Sequence, residues 1–283
     1  MTGRWSAGGD VGLDVLERVQ RSLTVGMIMT PRDALMTCRR EDTIAAVMQK
    51  NSMDYSFLPV VDGSDRYLGL FDAGQWFRRT PPDEPIGDTF EPFSEDLVIG
   101  ADASIFEFVM QADERPTRLV VSGHKVAGLI SISDLQQLPV RAALFTLITG
   151  LEIAMAKRIE AEWPDDSHAW KGLLSDDRRA DLEGKISGAR TSDNFVSEIA
   201  LTQLCDKSTV IYKAKLVPGG RRKLEVAFGR IEKLRNSLAH ANYYAETPET
   251  AKKVCSVVRS ILEIKTGLLE GIEQKHQEKE AAA

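Results

Sequence analysis

The feature that most constrains this chain is an internal repeat. IAAVMQ (44–49) is echoed by IFEFVMQ (105–111), LPVVD (58–62) by RLVVS (118–122), and YLGLFDAGQW (67–76) by VAGLISISDL (126–135). Copies recurring about 60 residues apart set the architecture before any single element does. Each copy opens with a short amphipathic run: EDTIAAVMQKN (41–51), with Asp42 or Thr43 as N-cap, and ASIFEFVMQAD (103–113), where Ser104 and Glu107 make a capping box. A hairpin follows in each, 56–62 with 67–71 and 117–123 with 126–130, joined by turn residues. SDLQQL (133–138) then opens another helix.

Beyond Leu138 the β signals nearly stop. The runs 138–163, 175–190, 194–214 and 221–245 read as helices, and a last one starts at Thr247 (cap) and Pro248 (first position). The expected fold class is α+β. Residues 1–22 form an N-terminal helical segment, 23–82 and 83–138 two β-α-β-β-α copies, 139–275 an all-helical bundle and 276–283 a charged tail.

Composition narrows the function classes. At 283 residues and 43% hydrophobic the chain can bury two cores, and a net charge of −6 argues against a surface coated for nucleic acid. Cys38, Cys205 and Cys255 are scattered and odd in number, which suggests neither a disulfide framework nor a zinc site. No apolar run approaches the length of a membrane span and the N-terminus lacks a signal-peptide core, so a cytoplasmic protein without membrane partners is expected. The charge is uneven, however. Residues 207–235 hold nine basic and two acidic residues, a net +7 within an acidic chain.

The repeated half resembles a tandem pair of CBS domains (a Bateman module), the adenosine-nucleotide-sensing family. The likeness rests on VGMIMTPRD (25–33), LPVVD and GLISISDL (128–135). That resemblance implies an adenine nucleotide as regulatory ligand. Gly128 would admit close backbone approach, Ser131 would offer its hydroxyl and a helix N-terminus to phosphate, and Asp134 would accept from ribose. Arg115 and Arg118 would neutralise phosphate charge. The first copy departs from the pattern, with Asp72 and Gln75 at the matching positions, so one competent site is expected at most. Ser131 and Asp134 equally suit a simple helix cap, because capping and binding use the same groups.

In the helical half, Leu224, Ala227, Phe228, Ile231, Leu234 and Leu238 form an apolar stripe. Beside it lies RNSLAH (235–240), with Arg235 at the stripe's edge and Asn236, His240 and Tyr243 on a neighbouring face. These residue types suit RNA cleavage without a metal or catalytic cofactor. Histidine can move a proton to or from ribose and leaving oxygens, guanidinium can stabilise a phosphorane, and the amide can orient either group. One set supplies one histidine, whereas in-line cleavage benefits from an acid and a base. His124, His168 and His276 read as exposed residues of turn, loop and tail.

Arg-Asn-x3-His resembles the motif of HEPN domains, helical bundles whose members carry Arg, four to six residues, then His. The resemblance implies a homodimer with a composite cleft and metal-independent endoribonuclease activity, as in toxins, phage defence and RNA processing. Carried over, Arg235, Asn236 and His240 become the catalytic set, with Arg221, Arg222, Lys223, Arg230, Lys233 and Tyr243 guiding RNA. Some HEPN toxins place tyrosine two residues after the histidine; Asn242 stands there in this chain. Two other readings remain open: a non-catalytic, nucleotide-responsive adaptor, and a CBS regulator whose tail binds DNA.

Overall fold

The computed structural model describes residues 11–87, 89–164, 167–191, 197–240 and 242–282. They fall into two compact units, one of residues 23–140 and one of 141–283 together with the segment before Leu23. The chain is mixed α+β, with strands in the first unit and helices in the second.

Helix α1 (Val11–Ser22) belongs to the helical unit, where Glu17 accepts from Lys265 at 3.2 Å. The sheet unit then runs β1 (Thr30–Pro31), β2 (Cys38–Arg39), α2 (Ile44–Lys50), β3 (Phe57–Val61), β4 (Tyr67–Asp72) and β5 (Glu91–Pro92). The second copy follows with β6 (Val98–Gly100), α3 (Ile105–Val109), β7 (Thr117–Ser122) and β8 (Lys125–Ser131). In each copy a short strand runs parallel to the next through a crossover helix, and an antiparallel hairpin completes the set. Thr43 caps α2 by accepting from the Ala46 amide at 3.3 Å, and the expected box at Ser104 and Glu107 caps α3. Both helices are shorter than their periodic runs. Ile44 and Val47 of α2 and Ile105 and Phe108 of α3 are buried.

The sheets exchange their edges. Their strand orders are β2-β3-β4-β5 and β1-β8-β7-β6, so β1, from the start of the first copy, closes the second sheet, and β5, from the start of the second copy, closes the first. Gly69 and Gly128 stand at equivalent register positions beneath these edges. A Cβ at Gly128 would sit 2.3 Å from the Thr30 carbonyl oxygen, and one at Gly69 would sit 2.0 Å from that of Glu91. Leu70 of the first sheet clusters with Leu119 and Leu129 of the second and with Leu97 of the 3-10 turn before β6, forming a shared core.

The helical unit comprises α4 (Leu138–Glu162, of which residues 138–140 count with the preceding unit), α5 (Ser167–Lys171), α6 (Asp176–Thr191), α7 (Leu204–Lys213), α8 (Arg221–Ala239) and α9 (Pro248–Ala282). Two expectations about helix extent are corrected. The run 194–214 is not one helix: residues 192–196 lie outside the described set, Glu198–Leu201 is a 3-10 turn, and α7 starts afresh at Leu204, with Asp206 accepting from the Gln203 amide at 2.9 Å. The run 221–245 stops at Ala239. Helix α9 begins as expected, the Thr250 amide donating to Thr247 Oγ1 at 3.2 Å. The expectation about apolar runs also needs correction, since α4 is long and apolar enough, by length and composition, to cross a membrane. Half of that apolar window is buried in the fold; in α4, Val140, Leu144, Leu147, Leu151 and Ile159 are buried, whereas Leu138 and Phe145 are exposed.

Candidate functional site

Helix α8 carries the polar hexapeptide at its end. Leu224, Phe228, Ile231, Leu234 and Leu238 are buried, as an amphipathic stripe requires, and Arg235, Asn236 and His240 are exposed. Asn236 is joined to Arg235 through side chains and to His240 only through the helix backbone. Arg235 Nη1 donates to its Oδ1 at 3.2 Å, and the His240 amide donates to its carbonyl oxygen at 3.1 Å. His240 is the C-cap residue, at φ −95° and ψ 13°. Its backbone therefore closes the last turn of the helix while its side chain stands at the helix end.

A residue that the motif does not contain sets that end. Arg141, in the first turn of α4, donates from Nη1 to the Ser237 and Leu238 carbonyls at 3.2 and 3.0 Å. Its Nη2 reaches the Asn242 carbonyl at 2.7 Å. A cation here complements the negative end of the helix dipole, and it holds a turn in which the Asn242 amide donates to Ser237 O at 3.0 Å. Tyr243 is consequently not the next position on the α8 face; it follows the helix, 78% exposed. Its neighbour Tyr244 is buried with Arg141 stacked 5.0 Å from the ring centre, and burial pushes its phenol up to about 12 even beside that cation.

The six residues expected to guide RNA separate. Arg230, Lys233 and Tyr243 line one groove between α8 and α9. Arg221 is engaged by Glu225 at 2.8 Å and stacks on Tyr212, Lys223 pairs with Glu263 at 3.4 Å, and Arg222 is exposed. His124, His168 and His276 are exposed as well.

In the sheet unit, Ser131 and Asp134 form a capping box over a 3-10 turn, Ile132–Gln136. Asp134 Oδ2 accepts from the Ser131 amide at 2.7 Å and hydroxyl at 3.2 Å, and its Oδ1 accepts from Gln137 at 2.9 Å. Burial raises its carboxyl above the usual range, against the pull of those bonds. The first copy uses Asp72 and Gln75 in a similar self-contained turn, the Gln75 side chain donating to the Asp72 carbonyl at 2.9 Å. Gly128 is approached by the β1 backbone, as described above.

Arg115 bridges Glu91 at 3.0 Å and Asp96 at 3.3 Å. Arg118 donates to the Gln111 side chain, yet its Nε is buried without a partner. Burial, then the nearby charge of Arg115, lowers the pKa of the Arg118 guanidinium. Thr117, only 4% exposed, likewise has an unpartnered Oγ1, and its register partner across the hairpin is Ser131. In the first sheet the positions equivalent to Thr117 and Arg118 by register are Phe57 and Leu58. The unsatisfied polar pair thus exists in the second copy and has no polar counterpart in the first. Sequence reasoning missed Thr117 and Arg141. The available signals were a lone arginine in the apolar run LPVRAALF and a Thr-Arg pair where the first copy has Phe-Leu.

No protein-family model matches the sequence, and no curated protein is similar to it. Among solved structures, the CBS domain of a bacterial CNNM/CorC family Mg2+ transporter in complex with ATP is similar over 47% of this chain and 97% of its own, at 17% identity and a TM-score of 0.36. CBSX2 in complex with AMP is similar over 43% of this chain and 96% of its own, at 22% identity and a TM-score of 0.34. A hemolysin-like CBS protein of Oenococcus oeni is similar over 42% of this chain and 94% of its own, at 14% identity and a TM-score of 0.35. CBS-domain structures therefore cover about half of the chain.

Proposed function

We propose that this chain is a nucleotide-sensing CBS pair fused to a HEPN-type endoribonuclease that acts as a homodimer. The observation that carries the enzymatic reading is the exposed Arg235, Asn236 and His240 together at the end of α8, with the Arg235 and Asn236 side chains hydrogen-bonded to each other. A histidine held only by local packing belongs on the buried stripe; this one stands at the solvent-facing end of it. Two copies related by a two-fold axis supply the base and the acid. One imidazole takes the proton of a ribose 2′-hydroxyl as the 2′-oxygen bonds to phosphorus. The other gives a proton to the departing 5′-oxygen, leaving a 2′,3′-cyclic phosphate and a 5′-hydroxyl, and Arg235 bears on the charge of the phosphorane.

The nucleotide reading rests on the second copy. Each buried polar atom left without a partner costs about 1–3 kcal/mol, so the Thr117 hydroxyl and Arg118 Nε favour a bound acceptor. A phosphate between Arg115 and Arg118 would relieve the repulsion of two neighbouring guanidinium groups, in competition with Glu91 and Asp96. Such a ligand regulates the enzyme to the extent that it binds the active and inactive arrangements with different affinity.

The test is cleavage of a mixed-sequence RNA in EDTA by purified protein and by His240→Ala. Loss of cleavage in the variant, with dimer and thermal transition retained, supports the reading. Equal cleavage by both proteins sinks it. No cleavage by the parent, with or without AMP or ATP, leaves the adaptor reading in its place.

A further inference from the structure

The seam between α8 and α9 changes character along its length. Near the start of α8, Lys223 is neutralised by Glu263 of α9 at 3.4 Å. Toward the end of α8 the seam opens into a groove of about 460 Å³ lined by Arg230 and Lys233 from α8 and Lys253 from α9. No carboxylate is among its described lining residues, and none of the three cations has an ion pair among the described residues. In an acidic chain, three uncompensated cations facing one cavity are not a generic solvated surface. The floor is apolar, with Leu234 and Val254 buried beneath the charges, and Tyr243 lies 78% exposed at the wall. The volume is that of an ordinary small-molecule site.

We infer that this groove holds a short stretch of single-stranded RNA, one base against Tyr243 and the apolar floor and three neighbouring phosphates on Arg230, Lys233 and Lys253. Cations that track a backbone beside an aromatic platform are how single strands are held without sequence readout. A duplex keeps its bases stacked inside and offers nothing to the floor. The inference rests on the reading of this unit as RNA-acting, but it concerns binding rather than cleavage and adds α9 to the RNA-contacting surface through Lys253, a residue outside the motif and outside the basic segment 207–235.

The experiment is fluorescence anisotropy of the full chain with a labelled 2′-O-methyl decauridylate, which cannot be cleaved by 2′-hydroxyl attack. Three phosphate contacts give a slope of log K against log salt of about −2, and each contact is worth about fivefold at 0.1 M salt. Arg230→Gln/Lys253→Gln should therefore bind about 25-fold more weakly with a slope near −0.7, and Tyr243→Ala roughly tenfold more weakly with the slope unchanged. Lys125→Gln, an exposed change in the sheet unit, should bind as the parent does. Parental affinity and slope in the double variant overturn the inference, as does uridine 5′-monophosphate competing at the concentration of the decamer. If the parent cleaves RNA through His240 while the groove variants bind normally, the groove fails and the enzyme stands. If nothing is cleaved but the groove variants lose the decamer, the reverse holds.

Discussion

Replacing Arg141 with alanine should cost more than any exposed change in the hexapeptide. The guanidinium makes three charge-assisted hydrogen bonds, to the carbonyls of Ser237, Leu238 and Asn242 at 3.2, 3.0 and 2.7 Å, and stacks 5.0 Å from the Tyr244 ring. Hydrogen bonds to a charged group contribute about 1.5–3 kcal/mol each when desolvated, but the Asn242 contact is exposed and water replaces part of the others. With about 0.5–1 kcal/mol for the cation–π contact and a few tenths for the helix dipole, the net loss is about 2–3 kcal/mol. For a unit of this size that lowers the melting temperature by about 5–10 °C. Calorimetry should show the shift in the helical unit's transition, and hydrogen exchange should show lost protection at the His240 and Asn242 amides, whose acceptors are Asn236 and Ser237. Arg141→Lys, with one ammonium in place of a fork, should recover only part of both. On the proposed reading, RNA cleavage falls roughly tenfold to a hundredfold at temperatures where the variant is folded, because His240 is no longer held at the helix end. A melting shift below about 1 °C, or unchanged exchange at those two amides, would refute the claim that Arg141 sets this terminus.

Gly128→Ala and Gly69→Ala should each destabilise the sheet unit by about 1–3 kcal/mol, since a Cβ at either site meets an edge-strand carbonyl at 2.3 or 2.0 Å. If Gly128→Ala melted like the parent and only AMP binding suffered, the glycine would be serving a ligand rather than β1. Tyr244 supplies a test in alkali. Its folded pKa, near 12, lies above its unfolded value of about 10, so its contribution is whole below pH 10 and is lost as pH rises toward 12. Urea titrations across that window should show the fall in the parent, and Tyr244→Phe should flatten it; an unchanged slope would mean the ring is not buried as described.

The parts of this fold that were legible in the sequence are those whose determinants are local. Ser104 and Glu107 cap their helix across three residues, Thr247 and Pro248 start theirs, and the stripe from Leu224 to Leu238 repeats with the helical period. The edge exchange was not legible. β1 and β5 are two residues each, too short to carry an alternation, and their partners lie in the other copy; only the glycines beneath them, Gly69 and Gly128, left a trace, and a ligand explained that trace equally well. Ser131 and Asp134 show the same ambiguity in another form. Their bonds to each other satisfy the turn, while the unpaired atoms lie on Arg118, expected from the sequence as a phosphate partner, and on Thr117, which no motif names.

The end of α8 shows why a short motif read alone misplaces the residue that follows it. Helical periodicity carried forward from Leu238 puts Tyr243 on the same face as Asn236 and His240. The residue that ends the helix is Arg141, 96 to 101 positions away in sequence from the carbonyls it binds. Once the helix stops, His240 becomes a cap, Tyr243 is released to the wall of the α8–α9 groove, and the basic residues divide into those already paired and those that face that groove. The division has a consequence for mutagenesis. Arg221 and Lys223 each have a carboxylate partner, so neutralising them leaves Glu225 or Glu263 unopposed and perturbs the surface whether or not RNA is bound. Arg230, Lys233 and Lys253 have no such partner among the described residues, so on the proposed reading their removal tests polyanion binding without unmasking a carboxylate.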